Sequence, residues 1–184
     1  YDDSMWLINL VENILSISRI EDGRMNLSIS TELVSEVFEE ALRHTNRHSG
    51  QHTITVQMDD DLLLARMDAK LVVQVLINLV DNAIKYTPAG SHIVLSAAAQ
   101  GETAVIQVSD DGSGIPDEAK EKVFEMFFTG ENRISDSRRS LGLGLALCRT
   151  IIAAHGGTIT LSDNTPHGCI FTFTLPLGEV SLHE

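Results

Sequence analysis

From about Ala69 to Tyr86 apolar residues recur at the helical period until Thr87-Pro88 halts the run, because the residue before a proline avoids the helical region. At about 100° per residue, Val72, Leu76, Leu79, Val80 and Ala83 fall on one arc and are predicted to face a sheet. Asn78, Asn82, Lys85 and Tyr86 share roughly a third of the circumference on the adjoining arc. Asparagine is locally unfavourable inside a helix, since its side chain competes for backbone hydrogen bonds. Two of them one turn apart point to a ligand for the amides. Amide oxygens are hard donors, suited to a magnesium ion that keeps several waters and binds phosphates. Lys85, one turn further on, can reach a phosphate oxygen. A solvated polar face would use the same residues, so this helix alone does not decide.

Two glycine-rich segments narrow the choice. Asp110-Asp111-Gly112-Ser113-Gly114-Ile115-Pro116 follows the apolar run Val105–Val108. A carboxylate at a strand end can accept a hydrogen bond from an exocyclic amine such as adenine N6, and Gly112 and Gly114 let the backbone pass close to a flat ring. It is not a dinucleotide fingerprint, because no G-x-G-x-x-G opens a helix there. Leu141-Gly142-Leu143-Gly144-Leu145 does open a helix, and free N–H groups at a helix start favour phosphate. Between the two lie Phe124-Glu125-Met126-Phe127-Phe128 and a polar stretch with Arg133, Arg138 and Arg139. Long loops in compact domains are often lids, so the phenylalanines read as its base and Arg133 and Arg139 as phosphate contacts on closure. Each segment also has a plain reading: a turn, a hinge, core.

The rest of the chain supplies the frame. Leu7, Leu10, Ile14 and Ile17 follow a 3-4-3 spacing, a helical seam ended by Asp22-Gly23. Leu27 and Ile29 suggest a short strand, and a helix from Thr31 to about Arg47 takes Thr31 as its N-cap. His52–Met58 alternates as a half-buried strand, with Leu62–Arg66 as its expected partner across an acidic turn. Ile93–Ala99 pairs with Ala104–Ser109, a short helix follows Pro116, Leu143–His155 is a helix, and Thr158–Ser162 pairs with Ile170–Leu175. Antiparallel strand pairs separated by three longer helices predict an α+β sandwich, one mixed sheet with helices on one face.

Of the 184 residues, 26 are acidic and 13 basic, a formal net charge of -13, which repels phosphate backbones and argues against nucleic-acid binding. Cys148 and Cys169 are far apart, which fits neither a zinc site nor a disulfide framework and suits a reducing compartment. No apolar run approaches the ~20 residues that span a bilayer. The chain starts at Tyr1 inside a periodic pattern, as expected of a piece of something longer.

The order of these segments is more specific than any one of them. An asparagine pair on a helix, DxGxG after a strand, a phenylalanine pair and GLGL into a helix together resemble the catalytic, ATP-binding domain of bacterial sensor histidine kinases, in the wider superfamily shared with gyrase, Hsp90 and MutL ATPases. Asn78–Pro88 is similar to that family's N box, Asp110–Pro116 to its G1 box, Phe124–Phe128 to its F box and Leu141–Leu145 to its G2 box. The resemblance runs from about residue 25 to the end and implies a Bergerat-type sandwich with a mostly antiparallel sheet. Residues 1–24 resemble the second helix of the dimerisation and phosphoacceptor hairpin, and Leu10–Leu15 with Arg19-Ile20 resembles the Kdp-type potassium-responsive sensors.

The resemblance implies roles. Asn82 would be the main magnesium ligand with Asn78 assisting, Lys85 would contact phosphate and Tyr86 would line the nucleotide. Asp110 would read adenine N6, with Gly112, Gly114 and Ile115 beneath the ring. Phe128, Arg133 and Arg139 would belong to the lid, and Leu141, Gly142, Leu143, Gly144 and Leu145 would hold the phosphates. Ser140 stands where the family often has a further glycine, and Cys169 where it often has Thr or Ser. None of the seven histidines fits the family's acceptor pattern, so the acceptor is expected on another segment. His44, His48 and His52 recur every four residues but lack a carboxylate or cysteine to complete a metal site. Gyrase-like hydrolases would have a water-activating Glu where this chain has Asn78. An amide cannot take that proton, which favours transfer over hydrolysis. An ATPase of the same superfamily and a non-catalytic nucleotide-binding module remain the alternatives. The implied partners are a response-regulator receiver domain and the acceptor hairpin, in a homodimeric, membrane-anchored parent whose catalytic domain is cytoplasmic.

Overall fold

The computed structural model describes residues 8, 11, 12, 15, 18 and 19, all helical, and residues 27–45, 51–125 and 143–178. The elements in chain order are β1 (Ser30–Leu33), α1 (Val34–Thr45), β2 (Thr53–Met58), β3 (Leu64–Met67), α2 (Ala69–Tyr86), β4 (His92–Gln100), β5 (Thr103–Asp110), α3 (Leu143–Ala154), β6 (Ile159–Asp163) and β7 (Cys169–Pro176). Two 3₁₀ turns, Asp117–Ala119 and Lys122–Phe124, stand where the short helix after Pro116 is predicted.

Five strands form one sheet in the order β2-β4-β5-β7-β6. Only β2 against β4 is parallel and the other three pairings are antiparallel, so the predicted mixed, mostly antiparallel sheet is what forms. Period-two alternation sends Ile93, Leu95, Ile106, Val108, Phe171, Phe173 and Leu175 into one buried layer. Val72, Val75, Leu76, Leu79, Val80 and Ala83 of α2 pack into that same core, as do Leu147, Ile151 and Ile152 of α3. The opposite face carries polar pairs such as Gln107 Nε2 donating to Thr172 Oγ1 at 3.2 Å.

Three expectations are corrected. Residues 27–29 are not a strand. The strand lies at Ser30–Leu33, where β1 pairs with β3 in register Ser30↔Met67 to Leu33↔Leu64. Thr31 is therefore a strand residue opposite Arg66 and not a helix cap, and α1 begins at Val34, whose N–H donates to Leu63 O. Nor does β3 pair with β2. The turn between them folds back on Asp60, whose main-chain oxygen accepts from Leu63 N and whose Oδ1 accepts from Leu62 N. That redirects β3 into a separate two-stranded sheet with β1, which a bridge from Ala65 to Leu177 ties to the chain beyond β7. Strand β2 instead takes the outer edge beside β4.

Helix α2 is fixed at both ends. Asp68, in extended conformation, caps it by accepting from Leu71 N, and Asp68 Oδ2 accepts from Ser28 N at 3.0 Å. The buried His155 links this cap to the end of α3: Asp68 N donates to its Nε2 at 3.0 Å and its Nδ1 donates to Ile151 O at 2.8 Å. At the other end Thr87 leaves the helix in extended conformation, and its hydroxyl donates to Ala83 O at 2.6 Å, satisfying one of the last-turn carbonyls.

Candidate nucleotide site

The alternation that builds the core also builds the site. Ala104, Ile106, Val108 and Asp110 are the buried residues of β5, so Asp110 occupies the next inward position of an apolar series. It ends up 8% exposed against the last turn of α2, a place where a carboxylate must be hydrogen-bonded. Its Oδ1 accepts from Gly112 N at 2.9 Å and from Cys169 N at 3.2 Å. Asp111, one residue out of phase, turns outward instead. Its Oδ1 accepts from His92 N at 2.8 Å and its Oδ2 lies 3.1 Å from His92 Nδ1. The His92 backbone N–H, with the imidazole behind it, holds the Asp111 carboxyl below its usual range. Two adjacent aspartates thus clamp the glycine segment, one from inside the sheet and one from its rim.

Gly112 is required by close approach: a Cβ there would lie 2.6 Å from Thr87 Cγ2. Around this contact a narrow cleft opens between α2 and the ends of β5 and β7. Its walls are Asn82, Ala83, Tyr86 and Thr87 on one side and Asp110, Ser113, Gly114, Ile115, Cys169 and Phe171 on the other. A cleft of mixed apolar and polar lining with one buried carboxylate at its end suits a purine bearing an amine.

Of the residues singled out from sequence, the structure brings Asn82, Tyr86, Asp110, Gly114 and Ile115 together in this cleft, with Gly112 behind it. Lys85 is exposed, its ammonium 5.7 Å from the centre of the Tyr86 ring. Asn78 faces α3: a Cβ on Gly144 would lie 3.7 Å from Asn78 Cγ. Leu145 packs against the core, and Leu143 is the first residue of α3. Phe128, Arg133, Arg139, Leu141 and Gly142 lie outside the described residues. Phe124 is core, edge-on to Phe171 at 6.0 Å and beneath the Arg149 guanidinium at 5.7 Å.

Sequence reasoning missed several wall residues. Thr87 was legible only as a helix stop, yet it lines the cleft and bonds His52, whose Nε2 lies 2.9 Å from its hydroxyl. That hydroxyl gives its proton to Ala83 O, so His52 Nε2 is the donor. His52 is therefore half-buried beneath the site and not a surface residue. Cys169 also lines the cleft. Its position directly after a glycine, in phase with Phe171 and Phe173, was the available signal.

Amide oxygens are hard donors, chemically suited to a magnesium ion shared with phosphates. Among the described residues no group of three or more His, Cys, Asp or Glu could cage a metal, so a protein-only site is not built here. Asn82 is half-buried in the cleft wall, and the buried Asn78 Nδ2 has no hydrogen-bond partner, a cost that a polar ligand or a shift of α3 would relieve. The neighbouring Cys148 thiol donates weakly to Val75 O at 3.7 Å. Burial pushes it up to about 12, and the nearby Asn78 amide offsets this only in part.

Comparison with known proteins agrees with this geometry. Residues 67–179 match the family described as histidine kinase-, DNA gyrase B-, and HSP90-like ATPase. The chain is 40% identical to the sensor protein KdpD of Clostridium acetobutylicum over 96% of its own length and 20% of that protein. It is 35% identical to KdpD of Escherichia coli over 91% of its length and 18% of that protein. The chain thus spans about a fifth of the length of these two relatives. Among solved structures it superposes on the catalytic domain of the histidine kinase ThkA with a TM-score of 0.72 at 30% identity, covering 82% of this chain and 96% of that one. ThkA in complex with the response regulator TrrA gives 0.73 at 27% identity, covering 94% and 49%. The chain belongs to the histidine kinase-, gyrase B- and HSP90-like ATPase family, as a sensor-histidine-kinase ATP-binding catalytic domain.

Proposed function

We propose that this domain binds ATP in the cleft and passes its γ-phosphoryl group to a histidine imidazole on a separate phosphoacceptor hairpin, for relay to a response-regulator aspartate. The observation that carries the reading is Asp110, a buried carboxylate held by two backbone N–H groups at the end of the cleft between α2 and the ends of β5 and β7. A carboxylate only accepts, so it favours the 6-amino group of adenine over the 6-oxo group of guanine. Gly112, Gly114 and Ile115 would support the ring and Tyr86 would flank it. Asn82, assisted by Asn78, would hold magnesium on the phosphates, and Lys85 would contact a phosphate oxygen. When bound, the ion neutralises phosphate charge. Gly142, Leu143, Gly144 and the start of α3 would hold the triphosphate, with Phe128, Arg133 and Arg139 in a closing lid. Leu141 and Leu145 would flank that turn.

Phosphoryl transfer needs positioning and charge neutralisation more than covalent chemistry from the protein. A P–N bond forms to the imidazole as the γ-phosphorus loses its bridging oxygen, and ADP leaves. Asn78, at the position a hydrolase would give to a general base, cannot activate water. Residues 1–24 would belong to the hairpin and residues 25–184 to the catalytic domain. The longer protein would be a membrane-anchored homodimer with this domain in the cytoplasm. No helix among the described residues is long and apolar enough to cross a membrane itself. The test mixes the chain with a hairpin peptide bearing the acceptor histidine and γ-labelled ATP. Acid-labile label on the peptide is expected. Free phosphate alone would instead identify a hydrolase, and tight ATP binding with neither product a regulatory module.

A further inference from the structure

The connection from β6 to β7, residues 164–168, does more than join two strands. Its ends close on each other, Asn164 N donating to Gly168 O at 2.9 Å. The Asn164 side chain has only one possible orientation. Its Oδ1 accepts from Thr165 N at 2.9 Å, so Nδ2 is the donor, and it donates to the main-chain oxygen of Asp110 at 2.8 Å. His167 Nδ1 donates to Gly112 O at 2.9 Å, two residues further along the same segment. Directly after the loop, Cys169 N donates to Asp110 Oδ1. Asp110 is thus gripped at its peptide carbonyl by Asn164 and at its carboxylate by the residue that follows Gly168. Gly168 lets the two backbones come this close, since a Cβ on it would lie 2.0 Å from Asp110 O.

We infer that Asn164 is a positioning residue for base selection: by fixing the Asp110 peptide plane it aims the carboxylate at the 6-position of the bound purine. The inference rests on the reading of Asp110 as the base-contacting group. A hydrogen bond to an exocyclic amine tolerates errors of about 0.5 Å or 10–20°. Without the Asn164 donor the Asp110–Asp111 peptide loses its side-chain anchor, and the aim of the carboxylate loosens with it. Asp111, held by His92 from the rim, keeps the strand end in place, so the loss falls on aim and not on the fold.

The experiment titrates the 184-residue chain with ATP and with inosine triphosphate, both with magnesium, by calorimetry. The two nucleotides share ribose and triphosphate and differ at the 6-position, amine against carbonyl, and at the adjoining N1, acceptor against donor. Asn164→Ala is expected to weaken ATP about fivefold to tenfold, the worth of one hydrogen bond, and to change inosine triphosphate less than twofold. Equal weakening of both nucleotides, or no change, overturns the inference. Asp110→Asn in the same assay separates the two ideas. If it leaves the ATP preference intact, the base reading itself falls. If it abolishes the preference while Asn164→Ala does not, only the role of Asn164 falls. Should Asn164→Ala not fold, Asn164→Asp carries the same expectation. It keeps the acceptor toward Thr165 N but sets a carboxylate oxygen against Asp110 O.

Discussion

Replacing Gly168 by alanine tests how the base pocket is held. A Cβ at Gly168 would sit 2.0 Å from Asp110 O, 2.8 Å from Asp110 C and 2.9 Å from Asp111 Cα, all backbone atoms with no rotamer to escape through. Ordinary contact begins near 3.4 Å, so the end of β5 must retreat by roughly 1.4 Å. That separation breaks the 2.8 Å bond from Asn164 Nδ2 to Asp110 O and stretches the 3.2 Å bond from Cys169 N to Asp110 Oδ1. Each is worth about 1 kcal/mol. The φ of +112° at Gly168 adds about 1–3 kcal/mol for a residue with a side chain. Gly168→Ala should therefore cost about 3–5 kcal/mol. Gly101→Ala is the control: its φ is +62° and nothing lies within 4 Å of its Cβ, so only the left-handed backbone cost of about 1–2 kcal/mol remains. Urea unfolding of both variants, with ATP titration of whatever folds, gives the comparison. Equal destabilisation by the two substitutions, with ATP affinity of Gly168→Ala unchanged, would refute the reasoning.

Other perturbations address the site and its supports. Asn82→Ala should leave the fold intact and lower magnesium-dependent ATP affinity by about tenfold or more, one ligand oxygen being worth at least a charge-assisted hydrogen bond; unchanged affinity in calorimetry would reject Asn82 as a ligand. The Asp111 carboxyl is held below its ordinary 3.8, so its contribution is present above that value and is lost as pH falls through the depressed folded value. Acid unfolding of Asp111→Asn should accordingly show a shallower loss of stability below about pH 4 than the parent, and parallel curves would remove Asp111 from the clamp. The Cys148 thiol is raised from 9.0 to about 12, which favours the native state below pH 9 and less so as pH rises toward 12. A thiol reagent at pH 8 should leave Cys148 unlabelled until urea unfolds the chain, and prompt labelling of the native protein would contradict its burial.

Much of the site was legible because it follows from short periods. The two-residue period of β5 puts Asp110 inside and Asp111 outside, and the 3.6-residue period of α2 sets Asn78 and Asn82 away from Leu76, Leu79 and Val80. The halt at Thr87-Pro88 ends the helix where the sequence says it must. These are statements about one segment at a time, and the chain's local chemistry is enough to make them.

Which segments meet was another matter. β2 lies parallel to β4 and β3 leaves for a second sheet, because strand pairing is chosen by the packing of whole elements and leaves no local period in the sequence. His52 reaches Thr87 across 35 positions and Asn164 reaches Asp110 across 54, each through one polar atom that any turn could carry. Periodicity placed the carboxylate and the amides on their elements. Only the folded sheet, by bringing the β6–β7 connection against the end of β5, decided what holds that carboxylate still.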